Sequence, residues 1–303
     1  MWKYALKRIL LAVVTVFIII AITFFAMNAV PGGPFNKEKA TDPAVIAVLE
    51  SRFNLDKPVF EQFFLYLNNL LHGNFGISLK TGREIATIIG ESFSVSAKLG
   101  LMAIVCSVFP GLLLGSIAAL NRNKWPDRVI VFLTTLFVSV PSFVLATLLL
   151  LIFCLKLGWF DIFNLQKVNY TLPVLALCLN PMSYITRLTK SSLLDVLGQD
   201  YIRTARAKGV REWKVLIKHA LRNALIPVVT YLGPMSAYIL TGSLVVETVF
   251  NIGGLGTKFV TSISNRDYPM IMATTIFLAV LMVIMTLLSD LAYKLVDPNI
   301  NFD

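Results

Sequence analysis

Few side chains in this sequence could carry covalent or proton chemistry, and their spacing argues against it. There are two histidines, His72 and His219, and no stretch in which either stands beside a cysteine or a paired carboxylate. Cys106, Cys154 and Cys178 fall inside long apolar runs, without CxxC spacing, and read as small buried apolar residues. No GxxxxGK[ST] phosphate loop occurs, so the chain is not expected to bind and hydrolyse ATP itself. The centres of the apolar runs hold no Asp or Glu, the groups an ion-coupled carrier working alone would need. Asp290, four residues before Lys294, reads as a helix-surface pair. Glu247 reads as a satisfied interfacial acid, with a substrate or gate contact as the alternative. No catalytic residue and no metal site is expected. The densest charged cluster is basic: Arg203, Arg206, Lys208, Arg211, Lys214, Lys218 and Arg222, opposed only by Asp200 and Glu212.

The elements that position this cluster are set by hydropathy. The chain is 56% hydrophobic with a mean hydropathy of +0.75. Only 15% of it is charged, against roughly 25% in an average soluble protein. Runs of about 20 apolar residues can cross a hydrocarbon core of about 30 Å as helices. Six are expected: Ile9–Val30, then about Leu99–Leu120, Val129–Leu155, Leu172–Ile185, Ala224–Val246 and Met270–Val296. Pro110, Pro141, Pro181, Pro234 and Gly242 need not break them, because neighbouring helices can satisfy the freed backbone groups. The first run is too long for the apolar core of a signal peptide and reads as a retained anchor.

Orientation follows from Lys and Arg. The amino end carries Lys3, Lys7 and Arg8, and the loop after the second run carries Arg122, Lys124 and Arg128. The loop after the fourth carries nine basic residues, from Arg187 to Arg222. The short loops on the other side carry Lys156 and Lys167, then Lys258 and Arg266. The positive-inside bias therefore puts both termini and the basic cluster in the cytoplasm. His72 and His219 then fall on opposite sides of the membrane and cannot share a site. The net charge of +10 is largely this signal, and no aromatic platform accompanies it that would suggest nucleic acid.

Residues 31–94, on the outer side, read as ordered. Thr41-Asp42-Pro43 has the form of a helix start. Asp56 and Pro58 open a second helix, which Gly73 is placed to end. Phe60, Phe63, Phe64, Leu67, Leu70 and Leu71 recur on it at three- and four-residue steps, a face that would pack on the membrane helices or a partner. This segment reads as a cap over the outer mouth.

On the inner side, Asp200–Lys208 reads as a short helix, with Gly209 as a sharp turn of positive φ. The stretch Val210–Leu225 reads as a second helix with two rows. Trp213, Ile217, Ala220, Leu221, Ala224 and Leu225 fall on one side, and Arg211, Lys214, Lys218 and Arg222 on the other. The shape suits docking of a protein. The charge pattern fits equally well a basic loop held at anionic lipid, at about 1 kcal/mol per charge.

RTARAKG (Arg203–Gly209) and the helix to Pro227 resemble the cytoplasmic coupling loop of inner-membrane permeases of binding-protein-dependent ABC importers. The whole chain resembles more narrowly the first permease of the oligopeptide/dipeptide branch, through KRIL, AVPGGPF, LHGNFGIS, SVSAKLG, VPSFV, DYIRTARAKGV, KHALRNALIPV, LTGSLVVETVFNIGGLG, NRDYP and VDPNI in that order. In the general loop pattern, Glu-Ala-Ala precedes Gly by three residues, and a Leu-Pro pair follows. Here Arg203 and Thr204 replace the first two, Ala205 and Gly209 match, and Leu221-Arg222 stands where Leu-Pro is usual.

The resemblance implies an all-α integral membrane protein with six transmembrane helices and the type I ABC importer permease fold. It divides the chain into 1–94, the first transmembrane helix with an extracytoplasmic helical segment, and 95–303, a five-helix core with a coupling loop at about 187–223. It implies a subunit of the bacterial or archaeal cytoplasmic membrane that is not itself an enzyme. Its partners would be a homologous second permease, two cytoplasmic ATPases holding ATP and Mg²⁺, and an extracytoplasmic peptide-binding protein. No cofactor is expected on this chain. The ATPase-coupling residues would be Asp200, Arg203, Thr204, Ala205, Arg206, Gly209, Val210, Trp213 and Lys214, with Gly209 as hinge and Trp213 as anchor. Pro141, Met235 and Glu247 are candidates for the pore or outer gate. A nickel or other small-solute permease of the same branch is the nearest alternative, and a stand-alone secondary carrier the one from another class.

Overall fold

The computed structural model describes residues 2–30, 51, 54–161, 169–240 and 244–296, with side chains described between Arg8 and Leu288. The helix start at Thr41-Asp42-Pro43 and the stretch after it lie outside the described residues, as do Gly242 and the side chains of Asp290 and Lys294. The regular secondary structure among the described residues is helical, apart from an isolated antiparallel bridge between Ile77 and Glu84. In chain order the helices are α1 (Trp2–Ala29), α2 (Val59–Leu71), α3 (Ile85–Leu120), α4 (Trp125–Ser139), α5 (Ser142–Leu149), α6 (Thr171–Leu197) and α7 (Asp200–Ala207). After them come α8 (Ile226–Leu240), α9 (Leu244–Val249), α10 (Leu255–Asn265) and α11 (Tyr268–Val296). A π-helical turn, Leu150–Lys156, extends α5. Between α7 and α8 run the single turn Glu212–Lys214, a π-helical stretch Val215–Leu221 and the turn Arg222–Ala224.

Six membrane spans are expected, and among the described residues four helices are long and apolar enough to qualify: Arg8–Ala29, Ile85–Leu120, Ile226–Val249 and Tyr268–Leu288. The third expected span is not one straight helix. It is the pair α4 and α5, bent by 100° at Pro141, and it makes a fifth span if counted as one. Pro110, Pro181 and Pro234 stay inside helices, as expected, but Pro141 caps the start of α5 and the chain turns there. The remaining expected span lies in α6, 27 residues long but too polar to qualify. Its buried face runs from Leu172 through Cys178 and Ile185 to Leu193. A helix covered by other helices does not need the all-round apolar surface that lipid demands.

The chain divides into two units, one built from the residues up to Val95 and Gly253–Val283, the other from Ser96–Ile252 and the continuation from Ile284. In the first unit, α1 meets α2 through Ile20, Phe24 and Phe63, joined by Met272 and Ile276 of α11. The Phe24 and Phe63 rings lie 5.2 Å apart, and those of Phe25 and Phe63 5.3 Å apart. The expected apolar face of α2 is thus split. Phe63, Leu67 and Leu70 pack inward with Tyr66, while Phe60, Phe64 and Leu71 remain exposed, because one neighbouring surface covers only part of so wide a stripe.

Helix α2 stops where Gly73 predicts. At φ +73° this glycine donates its N–H to Leu70 and the next residue, Asn74, donates to Asn69, the paired bonds of a Schellman ending. The loop that follows is tied down by Asp267, which is buried. Its carboxylate accepts hydrogen bonds from the Ser78 hydroxyl at 2.5 Å and the Leu79 N–H at 3.1 Å, and also faces the Met270 N–H at the start of α11. The LHGNFGIS and NRDYP stretches, far apart in sequence, meet at this carboxylate.

In the second unit, α3 crosses α6 at Gly111 and Gly115. A Cβ on Gly111 would lie 2.8 Å from Ile185 Cγ2, and one on Gly115 would lie 2.6 Å from the Thr186 carbonyl oxygen. The Ser107 hydroxyl donates within α3 to Ala103 and stands 3.2 Å from the Cys178 carbonyl of α6. Near the start of α4, Asp127 is buried and forms an ion pair with Lys190 of α6. It also accepts the Asn123 N–H at 3.0 Å. Of the three cysteines expected to be buried, Cys178 is, Cys154 is half-buried and Cys106 is exposed on α3. Cys106 shares its face with Phe109 and Leu113, a surface whose apolar character suits lipid.

Candidate functional site

The basic cluster is built on α7 and the segment that follows. Asp200 opens α7, where a carboxylate complements the partial positive charge of the helix start, and Arg203 lies 3.5 Å from it. The Thr204 hydroxyl donates to the Asp200 carbonyl at 3.0 Å. Ile202 and Ala205 turn inward while Arg203, Thr204 and Arg206 face outward.

The helix ends at Lys208, and Gly209 takes φ +75°. Its N–H donates to Arg206 at 2.9 Å and the Val210 N–H donates to Ala205 at 3.3 Å, again a Schellman ending. Val210 packs on the same apolar cluster as Ala205, the contact that usually accompanies this motif. No atom lies within 4 Å of a Cβ placed on Gly209, so the glycine is needed for its backbone angle alone.

Across the turn, Arg206 reaches Glu212 at 2.7 Å and clips the two sides together. Asn223 donates to the Tyr201 hydroxyl at 2.8 Å, a second tie back to α7. Beneath them lies an apolar core of Ala119, Leu193, Ile202, Ala205, Val215, Ala220 and Ala224, which fixes the element to the ends of α3 and α6. The sequence reading did not include Ile202, Val215 or the Arg206–Glu212 clip. Opposite charges flanking the glycine were the signal that could have found the clip.

The basic row is as expected, with Arg211, Lys214, Lys218 and Arg222 all exposed. The apolar row is not. Val215, Ala220 and Ala224 are buried, but Trp213 is 56% exposed and Ile217 58% exposed. The cause is the π-helical stretch Val215–Leu221, whose i→i+5 bonding adds residues to the turn and rotates what precedes it away from the α-helical register. Trp213 therefore projects outward beside Lys214, whose Nζ lies 5.5 Å from the centre of its ring.

Asp200, Arg203, Thr204, Ala205, Arg206, Gly209, Val210, Trp213 and Lys214 are thus brought together in one small raised element. Pro141, Met235 and Glu247 are on other elements. Pro141 is exposed at the α4–α5 bend, Met235 is buried in α8 and Glu247 is fully buried in α9. The Ser96 hydroxyl donates to Glu247 at 2.6 Å, so the SVSAKLG and VVET stretches meet inside the protein. Among the described residues no three His, Cys, Asp or Glu side chains come together as a metal site would require.

Comparison with known proteins agrees with this architecture. The model of the binding-protein-dependent transport system inner membrane component matches residues 111–302, and its N-terminal companion matches residues 1–113. The dipeptide transport system permease protein DppB of Bacillus subtilis is 46% identical, with 99% of this chain and 98% of that protein covered. DppB of Lactococcus lactis is 42% identical over 99% of each chain, and the oligopeptide transport system permease protein OppB of Haemophilus influenzae 40% identical over the whole of both. The fold is that of ABC importer permeases. A chain of the MetNI methionine ABC transporter in an inward-facing conformation superposes with a TM-score of 0.59 at 18% identity, covering 70% of this chain and 97% of that one. A chain of an amino acid ABC transporter gives a TM-score of 0.52 at 18% identity, covering 71% and 95%. Both family models and full-length relatives at this identity place the chain in the family of inner-membrane components of binding-protein-dependent transport systems.

Proposed function

We propose that this chain is one of two pore-forming permease subunits of an ATP-driven peptide importer, and that Asp200–Lys218 is where the force of the ATPases enters it. The observation that carries the coupling assignment is the build of the element itself. A short helix, a Schellman turn and an ionic clip hold Trp213 and the basic row out in the open, and an apolar core ties that platform to two long helices. The peptide assignment is supported by the names of the full-length relatives, which are dipeptide and oligopeptide permeases.

In this reading both termini and the basic element face the cytoplasm, as the distribution of Lys and Arg requires. The chain pairs with a homologous permease, and each permease offers one such element to one of two ATPase subunits. ATP and Mg²⁺ belong to those subunits, and this chain binds no cofactor and catalyses no hydrolysis. The ATPases close on binding nucleotide, draw the two elements together and turn the path outward, towards a peptide-loaded extracytoplasmic binding protein. Hydrolysis resets them. Pro141, at the bend, stays on the permease side of this scheme as a gate candidate. Met235 and Glu247, buried here, reach substrate only if α8 and α9 move.

The test is Gly209→Pro in the assembled transporter. Proline cannot adopt φ +75° and removes the N–H that Arg206 accepts, so the turn is lost. Peptide-stimulated ATPase activity should vanish while the complex still purifies intact, and unchanged stimulation would refute the coupling assignment.

A further inference from the structure

The membrane-facing surfaces of the second unit differ in kind. On α3 the exposed residues include Leu101, Val105, Phe109 and Leu113, and on α4 they include Val129, Phe132 and Leu136. Where hydroxyls do occur on the open side of α4, they are spent within the helix: Thr135 donates to Val131 and Ser139 to Thr135. Such surfaces suit hydrocarbon.

One stripe does not. On α6, Asn180, Tyr184 and Arg187 stand at steps of four and three, so they share a face. Tyr184 and Arg187 are exposed and Asn180 is half-buried. On α8, Thr230 and Tyr238 are exposed with Tyr231 between them; Tyr238 is 66% open, while the Thr230 hydroxyl donates to the Ile226 carbonyl at 3.1 Å, as the α4 hydroxyls do, and contributes only as an acceptor. The two halves join where the Tyr184 and Tyr231 rings approach to 4.4 Å. Among the described residues, the polar ends of Asn180, Tyr184, Arg187 and Tyr231 make no hydrogen bond or ion pair.

This stripe lies at membrane depth. Ile185 abuts Gly111, which is nine residues before the end of α3 at Leu120. At 1.5 Å per residue that is about 14 Å inside the helix end. Unpaired amide and phenol groups at that depth are costly against lipid, and Arg187 lies nearer the inner end, where the charge reading begins the cytoplasmic loop. Another membrane helix would have to meet each of them with a polar side chain of its own, and large tyrosines and an arginine are not the small residues that let membrane helices approach closely.

We infer that Asn180, Tyr184, Arg187, Thr230, Tyr231 and Tyr238 form this subunit's wall of the aqueous translocation path, and that the wall hydrogen-bonds the backbone of the passing peptide. The substrate half of this inference rests on the peptide-import reading above. Phenols and a carboxamide can each donate and accept, and the Thr230 hydroxyl can still accept, so together they match the alternating N–H and C=O groups of any peptide regardless of side chain. Arg187 adds a fixed cation suited to a carboxylate.

The test uses the assembled transporter in open membrane fragments, with Tyr184→Cys, Tyr238→Cys and, as a lipid-facing control, Phe132→Cys. A charged methanethiosulfonate reagent is applied and modification at each position is followed by mass spectrometry. Water-exposed thiols ionise and react, so positions 184 and 238 should label at least about tenfold faster than position 132, and saturating dipeptide during ATP turnover should slow them. In parallel, Tyr184→Phe should raise the peptide concentration for half-maximal uptake about threefold to tenfold, the loss of one hydrogen bond. Labelling as slow as at position 132, in a complex that still takes up peptide, overturns the wall and marks the stripe as covered by the partner permease. Fast labelling of the two cysteine variants, together with a wild-type complex that takes up no peptide, instead sinks the peptide reading and the backbone-recognition half with it.

Discussion

Where α3 crosses α6, glycine makes room; where α7 ends, glycine makes a turn. At Gly115 an added Cβ would sit 2.6 Å from both the Thr186 carbonyl and the Thr189 Cβ, so any side chain there must push two helices apart. At Gly209 the same atom would meet nothing within 4 Å, and only the backbone angle resists it. The charges divide likewise. Beside the crossing, Asp127 is buried and paired with Lys190, whereas the ion pairs on the raised element, Arg203 with Asp200 and Arg206 with Glu212, are solvent-exposed. The crossing is thus a region where chemistry maintains structure, and the raised element one where structure presents chemistry.

The sharpest way to break the first region is Lys190→Met. The methionine keeps the stem of the lysine but leaves the Asp127 carboxylate buried with the Asn123 N–H as its remaining hydrogen-bond donor. Removing one partner of a buried pair typically costs about 3–5 kcal/mol, so the purified complex should lose stability clearly in a thermal melt followed by size-exclusion chromatography. A melt within a degree of wild type would mean that the pair contributes little.

Alanine at the two glycines separates room from turn. Gly115→Ala must overpack the crossing, at about 1–3 kcal/mol, and the loss should appear in assembly and in melting temperature. Gly209→Ala forces a side chain into the left-handed region, at roughly 1–2 kcal/mol, but the strain is local and exposed. It should leave the melt of the complex nearly unchanged while lowering peptide-stimulated ATPase activity. Equal effects of the two substitutions on melting would erase the distinction.

How much of this was legible depended on how local the physics was. The ends of α2 and α7 were readable at Gly73 and Gly209 because a Schellman ending is decided within six residues. The exposed row of Arg211, Lys214, Lys218 and Arg222 was readable because charge seeks water. The bend at Pro141 was not. Pro110, Pro181 and Pro234 have equally apolar neighbours and stay inside helices, and whether freed carbonyls find new partners is decided by distant chain. The Ser96–Glu247 bond, 151 residues apart in sequence, was invisible for the same reason. The split of the apolar row, with Trp213 exposed and Ala220 and Ala224 buried, was not legible, because α-helical periodicity does not hold through Val215–Leu221 and a π-helical stretch leaves no periodic mark in so short a segment.

That split sharpens the last prediction, which has the smallest expected effect on stability. Were Trp213 buried as a core anchor, Trp213→Ala would cost about 3–5 kcal/mol. At 56% exposure, outside the apolar cluster that holds Val215 and Ala220, its ring stabilises this chain little. The melt of the isolated permease pair should therefore stay close to wild type. The ring can be buried by a partner instead, and Trp is among the residues that dominate the binding energy of many protein interfaces. Trp213→Ala should then weaken retention of the ATPase subunits on purification and lower peptide-stimulated hydrolysis, whereas Lys190→Met damages the permease itself. A variant that melts early yet keeps its ATPases would make Trp213 a core residue and reverse the contrast between the two regions.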